Sequence, residues 1–344
     1  VDSRHRPAAK PNTPVEQSIR NVAYALLSGA DGWMFDGEDA LGQVSTMSLD
    51  NQRNLKLAIH GNGTFLTVAE LVATDINRWS EGFLGRRIIS DWRAQLRFTT
   101  RIFRPRGLHL DDRHVRCDDG NGLSASIVDA VLYVANNGRR LQAEGSSIVL
   151  YLPKIQTAEE AAFWNEILSA LESHLGLEAS SIRTYVLVEQ LEACFQLMEI
   201  RAALGPRFVG FNTGRWDYIN SVSDAMAWDV AFVNPNIDAI TMTYGYMRAY
   251  EDRVRRAVNT PDAHGRFALW QGGMEPNIPV GSAQGVAASM ARAVAGGPAR
   301  AARGRERQMG GPLEDGPHRP ARVGESGSGE PARTAISAAH LYGG

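Results

Sequence analysis

Apolar runs alternate with amphipathic helical stretches about once every 25 to 35 residues, and this rhythm constrains the chain more than any other feature, because it builds parallel βαβ units. Seven runs read as strands, near residues 33, 100, 149, 185, 209, 241 and 268. SIVLYL at 147–152 and IRTYVLV at 182–188 are typical. They are apolar throughout, as expected of strands covered by helices on both faces. Helical periodicity fills the intervals at 15–28 (closed by Gly29), 68–79, 127–141, 158–175 (closed by Gly176), 190–204 and 250–258. Residues 40–97 are otherwise irregular. The expected fold is α/β, a (β/α)8 TIM barrel incomplete at its eighth strand, with a doubly wound open sheet as the alternative. The barrel is favoured because ionisable or Gly-rich turns follow nearly every run, where a barrel concentrates its chemistry. The expected organisation is an extended lead-in at 1–14, a barrel at 15–296 and a tail at 297–344.

The chemistry is therefore sought at strand ends. FVGFNT at 208–213 stops at Gly214 and then presents Arg215, Trp216 and Asp217. IRTYVLV stops at Glu189, one strand–helix unit earlier, so Glu189 and Asp217 should lie at the same end of neighbouring strands. Two convergent carboxylates suit Mg2+, which usually takes one or two and keeps several waters. The pair also fits an acid/base dyad, or two independent helix caps with Asp217 capping the helix after Gly214. Arg104 and Arg106 follow another strand, where an arginine can clamp a carboxylate or stabilise an oxyanion. Lys154, after Leu152 and Pro153, is as readily structural as functional. Asp36, Glu38 and Asp39 follow the first strand. His109 and His114 match no metal spacing, and Trp164 and Trp228 read as helix core.

A net charge of −2 gives no argument for nucleic acid. No apolar run approaches the roughly 18 residues of a membrane span. The polar, Pro-rich start resembles no secretory leader, and without Met it is expected of a fragment or a processed chain. Two cysteines, Cys117 and Cys194, give neither a disulfide framework nor zinc spacing, so a cytoplasmic location is expected.

In order along the chain, FDGEDAL, RPRGLHLDDRHV, YLPKIQTAEEAAFWNEIL, VLVEQLEACFQLMEI, GFNTGRWDYINS, TMTYGYMRAY and GRFALWQGGMEPNIP resemble malate synthases of the A/glyoxysomal type over roughly 15–285. GFNTGRWDYINS is close to that family's GLNxGRWDYIFS. The resemblance implies a TIM barrel that condenses glyoxylate with acetyl-CoA using Mg2+. It implies that Glu189 and Asp217 bind the metal, and that Arg104 stabilises the enolate and contacts glyoxylate. Backbone N–H groups around Gly214, Arg215 and Trp216 would hold glyoxylate's carboxylate, and Glu38 and Asp39 would support metal and arginine from behind. No nucleic acid or membrane partner is implied, and the oligomeric state is left open. Departures include Asn220 where the family has Phe, and Glu275-Pro276-Asn277 in the GGMAA loop. The family's N-terminal clasp and its C-terminal domain, with the aspartate that deprotonates acetyl-CoA, have no counterpart, so the chain by itself is expected to make little malate.

Residues 297–339 are rich in Gly, Pro, Arg and Ser and contain no aromatic residue, a composition of disorder. A second reading is that the tail is out of frame. Back-translated with synonymous codons and read one base later, 309–325 gives WVAHWKMVHIVRPVWE, which contains the WVAH of the family's eighth strand. A CoA-ester lyase of the citrate-lyase-β type is the alternative enzyme, and a non-catalytic ligand-binding relic the alternative of another class.

Overall fold

The computed structural model describes residues 15–38, 47–236, 239–240, 242–272, 284–285, 287–288, 291 and 307–308. They fall into two compact units, divided within the strand at 148–152. Among the described residues no helix is long and apolar enough to cross a membrane.

The first unit runs α1 (Val15–Leu27), β1 (Gly32–Asp36), α2 (Met47–Ile59), α3 (Gly63–Leu84), α4 (Trp92–Phe98), β2 (Thr100–Arg104), β3 (Asp111–Arg116), β4 (Gly122–Ser124) and α5 (Ala125–Ala143). Helix α1 buries Ile19, Val22, Ala23 and Leu26, one stripe of a 3.6-residue repeat, and packs on α2 and α3. Helix α3 is longer than its periodicity implies because both ends are capped. Asn62 accepts from the Thr64 amide, and Gly85, at φ 68°, closes the last turn onto the Glu81 carbonyl. Asp91 caps α4 through the amides of Arg93 and Ala94. Strands β1 and β2 pair in parallel from Gly32↔Thr100 to Asp36↔Arg104. Behind them Phe103 stacks on Phe35 at 5.7 Å and on Tyr133 of α5 at 4.5 Å. The antiparallel β3–β4 pair has no clear signal in the sequence, because β3 is almost wholly polar and exposed.

The second unit contains the last three residues of β5 (Ile148–Leu152), then α6 (Ala158–Leu175), β6 (Ile182–Val188), a 3-10 turn (Glu192–Phe195), α7 (Leu197–Leu204), β7 (Phe208–Thr213), α8 (Arg215–Ala225), α9 (Gly245–Val258), β8 (Leu269–Gly272) and β9 (Arg307–Gln308). The strands from β5 to β9 are neighbours in that order, and β6–β7, β7–β8 and β8–β9 pair in parallel. All of β5, and β6 apart from Arg183, is buried, which explains runs without alternation. Helix α6 spans its expected residues between the Thr157 cap and Gly176 at φ 63°.

Six of the seven expected strands form. The described part of 239–243 is not a strand. Gly210 of β7 pairs directly with Leu269 of β8, so the ladder position beside β7 is already filled. The Ile240 carbonyl instead accepts from the Arg215 guanidinium. Conversely, β9 lies where no barrel strand was expected, held by Gln271↔Arg307 and Gly272↔Gln308. The rest of the tail, including the segment compared with an eighth strand, lies outside the described residues, as does the lead-in. Trp164 is core, as expected. Trp228 is not, being 79% exposed beyond the end of α8, with its indole N–H on the Ala225 carbonyl.

Gly210 is set by the approach of β8. A Cβ there would lie 2.2 Å from the Leu269 carbonyl oxygen and 2.8 Å from its carbon. Both are backbone atoms that cannot yield without opening the ladder. Gly210→Ala is expected to cost about 1–3 kcal/mol or more through overpacking, read as a lower urea midpoint at unchanged slope. An unchanged midpoint would mean that β8 does not lie against β7 as described.

Candidate functional site

Arg104 ends β2 and Asp36 ends β1, and the parallel register sets them level. The Arg104 Nε and Nη2 donate to the Asp36 Oδ1 and Oδ2, both at 2.6 Å, a bidentate fork. The Arg104 Nη1 lies 3.2 Å from the Glu38 Oε2. All three side chains are at most 4% exposed. Gly37 lets the carboxylates on either side of it, Asp36 and Glu38, reach one guanidinium. Its N–H donates to the Arg104 carbonyl at 2.8 Å, and a Cβ would lie 2.8 Å from that same oxygen. Asp39 lies outside the described residues.

Arg106 goes elsewhere. Its Nε and Nη2 bind Asp129 of α5 at 2.8 Å each, and Nη2 also binds Asp112 of β3 at 2.7 Å. Burial works against the Arg106 charge, yet Asp129 and Asp112 raise its pKa above the usual value. Burial likewise opposes the Asp112 charge, but Arg106 and the amides of Val115 and His114 hold its carboxyl below the usual range. Arg106 thus ties the RPRG turn to α5 and β3. His109 packs on Gly107, where a Cβ would meet its ring at 2.5 Å.

In the second unit, Glu189 follows the last residue of β6 and Gly214 the last of β7, and the Val188↔Thr213 register sets them level. A Cβ on Gly214 would lie 2.8 Å from the Glu189 Cβ and 3.1 Å from its Oε2. The glycine therefore lets the start of α8 lie against the carboxylate. Asp217 stands in the first turn of α8, where Gly214, not Asp217, is the cap. That overturns the helix-cap reading of Asp217. Glu189 is fully buried and Asp217 one-third exposed.

The residue that sequence reasoning undervalued is Lys154. Its backbone N–H donates to the Glu189 Oε1 at 2.8 Å. Its Nζ lies 2.6 Å from the Asp217 Oδ1 and 3.5 Å from the Glu189 Oε2. To do this Lys154 takes φ 55°, a left-handed conformation that costs a non-glycine residue on the order of 1 kcal/mol. The two carboxylates thus bracket one cation. The donor set fits a divalent ion: two carboxylate groups, one rigid and dry, the other open to water and ligand oxygens. Among the described residues no group of three or more His, Cys, Asp or Glu gathers to hold a metal, so the rest of such a shell would come from water and substrate.

Helix α8 has eleven residues and its first N–H groups follow Gly214. A helix N-terminus of this kind can receive a carboxylate. The Arg215 guanidinium stacks over Trp216 at 4.6 Å, and its partial burial lowers its pKa. Trp216 is 42% exposed beside that terminus.

The Arg104 cluster makes a direct prediction. Asp36→Ala would leave a buried guanidinium without its bidentate partner, at an expected cost of about 3–5 kcal/mol, measured by urea unfolding. A loss below about 1 kcal/mol would show that Glu38 and water suffice to hold the charge.

A family model described as malate synthase, TIM barrel domain, matches residues 100–304, more than half of the chain. Glyoxysomal malate synthase of Cucurbita maxima is 34% identical over 270 residues, which cover 78% of this chain and 43% of the relative. Malate synthase A of Escherichia coli is 33% identical over 266 residues, 77% of this chain and 45% of the relative. Malate synthase of Myxococcus xanthus is 32% identical over 267 residues, 78% and 44%. The chain spans less than half the length of these curated relatives. With a family model over most of the β/α region, including both Glu189 and the GRWDY segment, the chain belongs to the malate synthase TIM-barrel family.

Proposed function

We propose that this chain carries the metal- and glyoxylate-binding part of a malate synthase, which condenses glyoxylate with acetyl-CoA to give malate and CoA. The observation that carries this reading is the convergence of Glu189 and Asp217 on one cation. In this reading the cation is Mg2+, held by those two carboxylates. When bound, it would draw electron density from glyoxylate's carbonyl and make that carbon electrophilic. The N–H groups of Arg215 and Trp216 would receive glyoxylate's carboxylate at the start of α8, while the Gly214 N–H, which donates to the Val188 carbonyl at 3.1 Å, holds that terminus against β6.

Arg104 would stabilise the negative charge that develops on the acetyl-CoA oxygen when its methyl group loses a proton. Asp36 and Glu38 would orient that guanidinium, because Asp36 binds two of its nitrogens and the Glu38 carboxylate lies 3.2 Å from the third. Their engagement with Arg104 argues against either as the base that takes the methyl proton. After carbon–carbon bond formation, water would cleave the thioester, giving the new carboxylate and releasing CoA as the thiol. A cytoplasmic location belongs to the same proposal, supported by two free thiols, exposed Cys117 and buried Cys194.

Calorimetric titration tests the metal assignment. The wild-type chain is expected to bind Mg2+, and to bind glyoxylate only in its presence. Glu189→Ala and Asp217→Asn are each expected to weaken Mg2+ binding by about 10²-fold. Equal affinity in all three proteins would remove the pair from the metal site. In this chain joined to the remaining segments of a malate synthase, Arg104→Lys keeps the charge but loses the fork. Turnover, followed as thiol release from acetyl-CoA with glyoxylate, should fall about 10²-fold. Unchanged turnover would take Arg104 out of the mechanism. Cleavage of a malyl-CoA-like ester without that condensation would instead identify a lyase.

A further inference from the structure

Lys154 contacts both members of the carboxylate pair, and does so from a backbone conformation that disfavours a side chain. At φ 55° a glycine would be unstrained. The left-handed turn nevertheless carries a lysine, whose N–H reaches one Glu189 oxygen at 2.8 Å while its Nζ reaches the Asp217 Oδ1 at 2.6 Å and the other Glu189 oxygen at 3.5 Å. Three contacts from one residue hold two carboxylates that would otherwise repel each other. One of those carboxylates is fully buried, where an uncompensated charge is costly.

We infer that Lys154 is the resident counter-cation of this site: its ammonium holds Glu189 and Asp217 together in the metal-free protein and gives way when a divalent ion enters. The inference rests on the reading of Glu189 and Asp217 as the divalent site. An ammonium and a divalent ion cannot both sit between the same oxygens, because like charges at that spacing repel strongly in a partly buried site. The side chain is suited to leaving. Lysine carries a compact charge on a stem with several rotatable bonds, so Nζ can withdraw while the backbone N–H keeps its bond to Glu189. Arg104, forked onto Asp36 by two bonds of 2.6 Å, has no such freedom. Binding of the divalent ion is therefore an exchange of cations, and its affinity is lower than the bare carboxylate pair would give.

Three variants separate charge, stem and backbone. Lys154→Met keeps the stem and removes the charge. Lys154→Gly keeps the left-handed turn and the N–H to Glu189. Lys154→Arg keeps the charge. Mg2+ affinity is measured by calorimetry, and thermal unfolding is followed in chelator and in saturating Mg2+. Lys154→Met and Lys154→Gly are expected to bind Mg2+ about ten-fold more tightly than wild type, to melt lower in chelator, and to recover in Mg2+. Lys154→Arg should stay within about three-fold of wild type, because the competing charge remains. A Met or Gly variant that folds only when Mg2+ is added supports the inference as well. Affinity in Lys154→Met and Lys154→Gly that is unchanged or weaker would overturn it. So would unchanged melting in chelator. A wild-type chain that binds no Mg2+ would overturn the underlying reading of the pair, and the inference with it.

Discussion

Parallel register is the constraint on which both charged clusters depend. A ladder that pairs Asp36 with Arg104 sets two opposite charges level at the ends of β1 and β2. One that pairs Val188 with Thr213 sets Glu189 level with Gly214 at the ends of β6 and β7. The interiors of β5 and β6 are buried and, apart from the exposed Arg183, uncharged, and the carboxylate that follows β6 stands where the ladder stops and a donor lies opposite. A one-residue slip in either pair would turn a side chain to the other face and leave a buried charge alone.

The two clusters meet the same requirement with different cations. In the first unit a guanidinium is fixed by a fork on Asp36 and a third nitrogen near Glu38, with every member at most 4% exposed. That geometry suits a permanent, oriented positive charge. In the second unit the cation is an ammonium on a flexible stem, and one of its carboxylates is one-third exposed. That geometry suits replacement of the cation by another. Arg106, a neighbour of Arg104 in sequence, has no part in the first arrangement, because Asp129 and Asp112 take its donors and fix the turn instead.

Close approaches are admitted by glycines rather than by special side chains. Gly37 brings the chain against the Arg104 carbonyl, Gly210 admits the backbone of β8, and Gly214 admits Glu189. Each lies within a strand or just past its end, and in each case a methyl group would meet backbone or a buried side chain.

The sequence by itself determined the strand–helix alternation, most of the helix spans, and which strand ends carry charge. These follow from hydrophobic period and from capping residues, which are local. It marked Arg104, Glu189 and Asp217 because each follows an apolar run. It did not reveal α2, α4 or the β3–β4 pair, whose residues are too polar or too short to show a period. It also made a strand of 239–243, which the pairing of β7 with β8 forbids. Only tertiary structure decided which cation each carboxylate meets. Arg104 and Arg106 look alike in RPRG but part company because Asp36 lies across a ladder and Asp129 on a helix. Lys154 gave the weakest signal of the charged strand-end residues, because its two partners lie 35 and 63 residues away. No local pattern encodes a contact over that distance, and only the folded backbone brings its ends together.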